Sequence, residues 1–385
     1  MTALRISTMG CRWDVDLSRV RPEVADRLRH LWAHANVETA DRSEPEDFPR
    51  ELIASHLGDP VGAEGGPILD ENVVTAPYTF STAITLASIR AQSGRLTLLH
   101  SAALAEPATG AGVILVAESG TGKSTAARTL GRELGYLSDE TAVIRDDLTL
   151  IGHPKPLSLI PAPGQPKIEK SPGELGLLPA PPDPWLAATI LLCRKPGHGV
   201  PTLESVPLLE AMAETIPQSS ALPTQDRPLA SLARVLTAGA GVHRLTYAEI
   251  ADAAPLIHAL LAGIPRGSNN GAHWQIVDPA EGRRTEPWTS TPAADDAIVT
   301  EHTRITRAPY LDAIDDGVEV LVLNGPNPIR LLGLGSTIWR TCTAELTVAE
   351  ATATVVTEHG EHPDAPELVA EAVHSLLANG LLETL

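Results

Sequence analysis

Apolar and polar positions follow two rhythms along this chain. In VRPEVADRLRHLWAHA, residues 20–35, apolar positions recur at helical spacing, with Leu28, Leu31 and Trp32 on one side. YTFSTAITLASIRAQ, residues 78–92, predicts a second helix, and RLTLLHSAALA, residues 95–105, opens a β-rich stretch. From residue 112 the pattern sharpens into a strand, GVILVA, a glycine turn, a helix, KSTAARTLGREL, with Gly135 as its stop, and the run YLSDETAVIRDD. Ten prolines fall within residues 154–184, which excludes long helices and predicts extended chain or edge strands covering a site. WLAATILLCR, 185–194, reads as a buried strand, and RPLASLARVLTAGA and YAEIADAAPLIHALLAG as helices.

The rhythm is lost over residues 264–298, which are rich in Gly, Pro, Asn, Ser and charge and read as a linker with one short strand, HWQIV. Strand patterns return in HTRITRAP, GVEVLVLNG and PIRLLG, the last two separated by the turn signal Asn324-Gly325-Pro326-Asn327. Helical segments follow near 335–344, 347–359 and 365–379. The chain thus divides into an α+β region (1–95), a strand–loop–helix core (96–263), the linker (264–298) and a small domain (299–385) in which a β-hairpin leads into three helices. A length of 385 residues at 43% apolar composition suits two or three domains.

Charge narrows the partners. A formal charge of −19 argues against nucleic acid and anionic membrane, both of which are bound through clustered Lys and Arg. Cys11, Cys193 and Cys342 show no metal or redox spacing and fit free thiols in a reducing compartment. The N-terminus lacks an apolar signal core, and no apolar run approaches the roughly 20 residues that span a bilayer, so a soluble cytoplasmic protein is expected. Only five lysines occur, and one of them, Lys123, stands inside the glycine turn.

That turn, Ala117-Glu118-Ser119-Gly120-Thr121-Gly122-Lys123-Ser124, matches the Walker A pattern with Ala in place of the first glycine. Gly120 and Gly122 let the backbone wrap its N–H groups around phosphate oxygens, as do the amides of Ser119, Thr121 and Thr125 beside them. Lys123 neutralises the β and γ phosphates, Ser124 can ligate Mg²⁺, and the helix dipole adds to both. ATP with Mg²⁺ is the expected ligand. Asp139-Glu140 follows 16 residues after Lys123, room for one helix and one strand, which would return an acid to the phosphates in a compact kinase-like site.

LLHSAALA, VAESGTGKST, GYLSDETAVI and HPKPLSL, in this order, resemble the HPr kinase/phosphorylase superfamily, especially its stand-alone relatives found beside peptide-modification genes. The likeness covers roughly residues 80–262. It implies an α/β P-loop kinase domain of the HPr kinase/PEP carboxykinase-like type, with Asp139 as the base toward a serine hydroxyl, Glu140 beside the metal with Ser124, and His100 near the active site. His100 also reads as a hydrogen-bonded core histidine, and Lys155 either as a cation reaching phosphate or peptide or as a surface lysine. The further signature of bifunctional members, which governs phosphorolysis, is missing, so dephosphorylation is not implied; nor is a basic patch for a phosphocarrier protein visible.

Residues 300–385 resemble PqqD-like domains, the small winged-helix α+β peptide-binding modules of ribosomal peptide modification systems, in the hairpin, LGLGSTIW, TVAEATATVV and VAEAVHSLLANGLLE. A winged helix can also read DNA, but four arginines against thirteen acidic residues give the wrong sign for a phosphate backbone. The resemblance implies that a leader peptide adds as a strand beside the hairpin, with Ile329, Leu331, Val369, Val373 and Leu376 as candidate contacts; plain core packing is the other reading of each. Together these resemblances imply an ATP-dependent kinase for a Ser or Thr hydroxyl of a ribosomally made precursor peptide, working beside other modification enzymes. The alternatives are a nucleotide-binding, non-kinase partner that delivers peptide to another enzyme, and a small-molecule kinase.

Overall fold

The computed structural model describes residues 3–35, 50–56, 67–162, 164–278, 299–324 and 328–385. The chain folds as two units. The first comprises Met1–Val206, Gln218–Gln225 and Val235–Asn270; the second comprises Pro207–Pro217, Asp226–Arg234 and Gly271–Leu385. Two segments from within the expected 96–263 domain, 207–217 and 226–234, therefore group with the C-terminal residues.

The first unit opens with a hairpin, Ala3–Thr8 against Cys11–Asp16, joined by a two-residue loop. Met9 and Gly10 both have positive φ (53° and 71°), the loop geometry whose twist matches that of the flanking strands. Arg50–Ile53 adds parallel to the second strand. Helices Pro22–Leu31 and Ala76–Gln92 contribute Leu28, Phe80 and Ile84 to one apolar core with Leu4, Ile6 and Trp13 of the hairpin.

A seven-stranded sheet follows, in the spatial order Leu178–Pro179, Gly135–Ser138, Ser101–Ala105, Ala111–Val116, Trp185–Arg194, Val242–Tyr247, Thr202–Ser205. Ala111–Val116 is buried at every position and Trp185–Arg194 at its first eight, the continuous apolar pattern of strands covered on both faces. The helix Lys123–Leu130 buries Ala126, Ala127 and Leu130 in the core of this sheet. It stops at Gly131, not at Gly135 as the sequence suggests. Gly135 opens a strand instead, where a Cβ would come within 2.7 Å of the Pro179 carbonyl and of Pro181, so this glycine serves close packing. In the proline-rich stretch, Leu157–Leu159 and Ile168–Lys170 form a short antiparallel pair and Leu178–Pro179 is the edge strand of the large sheet.

In the second unit Gln275–Ile276, Asp312–Asp315, Val320–Leu323 and Pro328–Leu331 form an antiparallel sheet, with Pro328–Leu331 at one edge. Three helices follow, Leu334–Thr341, Val348–His359 and Ala365–Ala378, and a small sheet joins Arg304–Arg307 to Leu346–Thr347 and Leu382–Thr384. The expected linker strand is thus the first strand of this sheet, while residues 279–298 and most of the expected turn, residues 325–327, lie outside the described residues. Among the described residues the fold is mixed α/β with several sheets and nine α-helices, none long and apolar enough to cross a membrane. None of the three cysteines forms a disulfide.

Candidate active site

Sheet direction brings the expected residues together. Gly135–Ser138 runs antiparallel to Ser101–Ala105, which runs antiparallel to Ala111–Val116. Two reversals make the outer strands parallel, so their C-terminal ends and the N-terminal end of the middle strand share one edge of the sheet. That edge carries the phosphate loop after Val116, Asp139 and Glu140 after Ser138, and His100 before Ser101. With strands about 4.8 Å apart, the loop and the acid pair stand about 10 Å apart at the backbone, a gap that side chains can close.

The loop leaves open space before its backbone. Gly120 and Gly122 have φ of 85° and 109°, and a Cβ on either would meet nothing within 4 Å, so the backbone is left-handed with open space before it. Lys123 is buried, and its Nζ donates to the carbonyl oxygens of Ala117 at 2.6 Å and Glu118 at 3.1 Å. The Ser124 hydroxyl is among the groups that favour the charged form of Asp139. Ser119, Gly120, Gly122, Lys123, Ser124 and Thr125 line a cavity of about 580 Å³ together with His100, Asp139 and Glu140; Thr121 belongs to the loop but does not line it.

Lys155, in a segment where the sequence left a surface lysine open, is 3% exposed and stands between the two acids. Its Nζ lies 3.4 Å from Asp139 Oδ1 and 3.2 Å from Glu140 Oε2. Tyr136 Oη donates to Asp139 Oδ1 at 3.0 Å. Burial alone would raise the Asp139 carboxyl, but the Lys155 ammonium and hydrogen bonds from Ser124, Tyr136 and Lys155 outweigh it and hold the group below its ordinary value. Burial opposes the charge on Lys155 too, and Asp139, Glu140 and Glu169 overcome it, so the ammonium is held above its usual range. Burial and Lys123 lower the His100 imidazole against the pull of Glu140 and Asp139. His100 thus stands in the cavity wall with its charged form disfavoured.

Behind the acids the network reaches the N-terminal sheet. Buried Glu169 accepts from Ser158 and, at 3.4 Å, from Ser81, and burial raises its carboxyl. Buried His153 lies 2.6 Å from Thr8 Oγ1 and 3.1 Å from Thr85 Oγ1. Because Thr85 donates its one hydroxyl proton to the Ser81 carbonyl, His153 Nε2 must be the donor to Thr85, and Nδ1 accepts from Thr8. The 1–95 region, whose sequence carries no catalytic signal, also supplies Tyr78, Ser81 and Thr82 to the cavity wall. No motif marks those positions; their helical spacing reads only as one face of a helix.

The C-terminal candidates fall elsewhere. Val369, Val373 and Leu376 are buried in the apolar core of the second unit with Leu331, and Ile329 packs against it half-buried. Core packing therefore accounts for the Val369, Val373 and Leu376 side chains. Among the described residues Pro328–Leu331 is one of the two edge strands of the sheet, and Leu332 after it is 55% exposed.

No protein-family model matches the chain, and no curated protein matches it. Among solved structures it is similar to the Hpr(Ser) kinase/phosphatase from Coxiella burnetii, with a TM-score of 0.24 and 16% identity over 43% of this chain and 93% of that one. At that score the likeness adds nothing to what the site's own residues show.

Proposed function

We propose that the first unit is an ATP-dependent kinase that phosphorylates a Ser or Thr hydroxyl. One observation carries this reading: Lys123 and Ser124 of the phosphate loop line one cavity with buried Asp139 and with Glu140, whose side chain is 42% exposed. The two carboxylates have different surroundings and so suit different tasks. Asp139, saturated by Ser124, Tyr136 and Lys155, fixes the phosphate end; Glu140 is the more open and suits the hydroxyl proton. This exchanges the roles that the family resemblance implies for the pair. The all-oxygen set of Ser124 and Asp139 fits Mg²⁺, which supplies charge neutralisation at the phosphates.

The acceptor oxygen forms a bond to the γ-phosphorus as the bond to the β,γ-bridging oxygen breaks, ADP departs, and the hydroxyl proton passes to Glu140. Lys123 leaves its loop carbonyls to neutralise the phosphates. The acceptor we infer is a ribosomally made precursor peptide. Its leader would add to the edge strand Pro328–Leu331 of a winged-helix, PqqD-like second unit, through main-chain hydrogen bonds rather than through Val369, Val373 or Leu376.

The test is intact-mass analysis of a candidate precursor peptide incubated with the protein, ATP and Mg²⁺, beside Asp139→Asn and Glu140→Gln. One added phosphoryl group, slowed about 10²–10⁴-fold by either variant, is the expected result. Peptide and nucleotide binding with no added phosphoryl group would instead make the chain a nucleotide-switched delivery partner.

A further inference from the structure

Of the five lysines in this acidic chain, three line the same cavity: Lys123, Lys155 and Lys167. Lys123 is engaged by the loop and Lys155 by Asp139 and Glu140. Lys167 is different. It is exposed, its Nζ stands 5.0 Å from the centre of the Tyr78 ring, and no carboxylate among the described residues pairs with it. Around it the wall is formed by Tyr78 and Thr82 from the helix Ala76–Gln92 and by Ser158 and Ile160, the last 61% exposed.

This wall belongs to the same cavity as the phosphate loop and is tied to the acid pair rather than to the loop: Asp139 contacts Lys155, and the chain runs on from Lys155 to Ser158, whose strand pairs with Ile168–Lys170 beside Lys167. A phosphoryl acceptor must approach from the side of the carboxylates opposite the nucleotide, so this wall is where the rest of the acceptor rests. Tyr78 and Ile160 offer apolar surface and Lys167 an unneutralised cation.

We propose that Tyr78, Thr82, Ser158, Ile160 and Lys167 form the acceptor subsite, and that Lys167 selects peptides carrying a carboxylate beside the hydroxyl that is phosphorylated. The inference rests on the kinase reading and adds to it the class of acceptor. The tyrosine ring holds the ammonium over the cavity, and an acidic side chain of the acceptor completes the pair.

The experiment uses the full chain with MgATP and two synthetic peptides of one length, each with a single serine, flanked by aspartates in one and by asparagines in the other. The aspartate peptide should have a kcat/KM about fivefold higher, the worth of one solvent-screened ion pair. Lys167→Gln should erase that preference and Lys167→Arg keep it, with the Kd for MgADP unchanged in both. Equal use of the peptides, or a preference that survives Lys167→Gln, overturns the subsite and leaves the kinase standing. MgATP binding with neither peptide phosphorylated by the unmodified chain sinks the kinase reading, and the subsite with it.

Discussion

Charged groups meet inside both units, but they are arranged to opposite ends. In the second unit Arg340 donates from Nε and Nη2 to the two oxygens of Asp315, each at 2.7 Å, and Gly317 N–H adds a third bond at 2.7 Å. Arg330 closes a similar fork on Glu319, and Arg307 lies 4.0 Å over the Trp339 ring while donating to the Trp339 and Arg340 carbonyls. Each of these three cations has its own partner. In the first unit one ammonium, Lys155, is shared by Asp139 and Glu140 directly and by Glu169 at longer range, and the two acids face a cavity that Lys123, Arg128 and Lys167 also line. Charges paired one to one hold a fold in shape; a cation shared among several acids that open on a cavity is the arrangement found at ligand sites.

Removing the cation from each arrangement breaks the comparison most sharply. Lys155→Met leaves Asp139 buried with only hydroxyl donors, a loss of about 3–5 kcal/mol in stability, as for any buried pair stripped of one partner. Arg340→Met strands Asp315 with its Gly317 bond and solvent, and should cost about 1–3 kcal/mol. Urea unfolding measures both. Phosphoryl transfer separates them further, since Lys155→Met should abolish it in protein that is still folded and Arg340→Met should leave it intact. Equal losses of transfer would show that the two clusters do not differ in kind.

How much of this was legible in the sequence follows from the range of each interaction. The phosphate loop and Trp185–Arg194 were readable because their signals are contiguous. Asp312–Asp315 carries no strand signal because half of its residues are acids; Asp312 is buried, accepting from Leu229 N–H at 2.8 Å at the start of the helix Pro228–Thr237, where the dipole favours a carboxylate. Lys155 stands between two prolines and 16 residues past Asp139, and only the sheet places it beside the acids. Tyr78 and Lys167 are 89 residues apart, and nothing local ties one to the other.

A titration sharpens the comparison next. His153 is lowered to about 3, first by burial and then by Lys155, so the folded chain keeps it neutral where the unfolded chain takes up a proton near pH 6.5. Its contribution to stability is therefore complete above about pH 6.5 and declines as pH falls toward 3, by about 1.4 kcal/mol per unit. The depressed Asp139 carboxyl acts in the same direction but only below its unfolded value of about 3.9, so the two windows separate. Urea unfolding between pH 7 and about 4.5 should show the His153 slope, and His153→Gln should remove it at some cost in stability at neutral pH. A slope unchanged in that variant would assign the proton elsewhere.

The smallest effect tests the self-contained character of the second unit. Thr347 caps the helix Val348–His359: its Oγ1 accepts from Glu350 N–H at 3.2 Å, while the Glu350 carboxylate accepts from Thr347 N–H at 2.7 Å. Two helix-end donors are thereby satisfied reciprocally, on a residue with no part in the cavity of the phosphate loop. Thr347→Ala should lower the stability of that unit by about 1 kcal/mol, read as a shift in its urea midpoint, and leave nucleotide binding and transfer unchanged. Because the cap serves only its own helix, any accompanying loss of phosphoryl transfer would mean that the fold of the second unit is coupled to chemistry in the first, and the division between paired and shared charge would no longer separate structure from function.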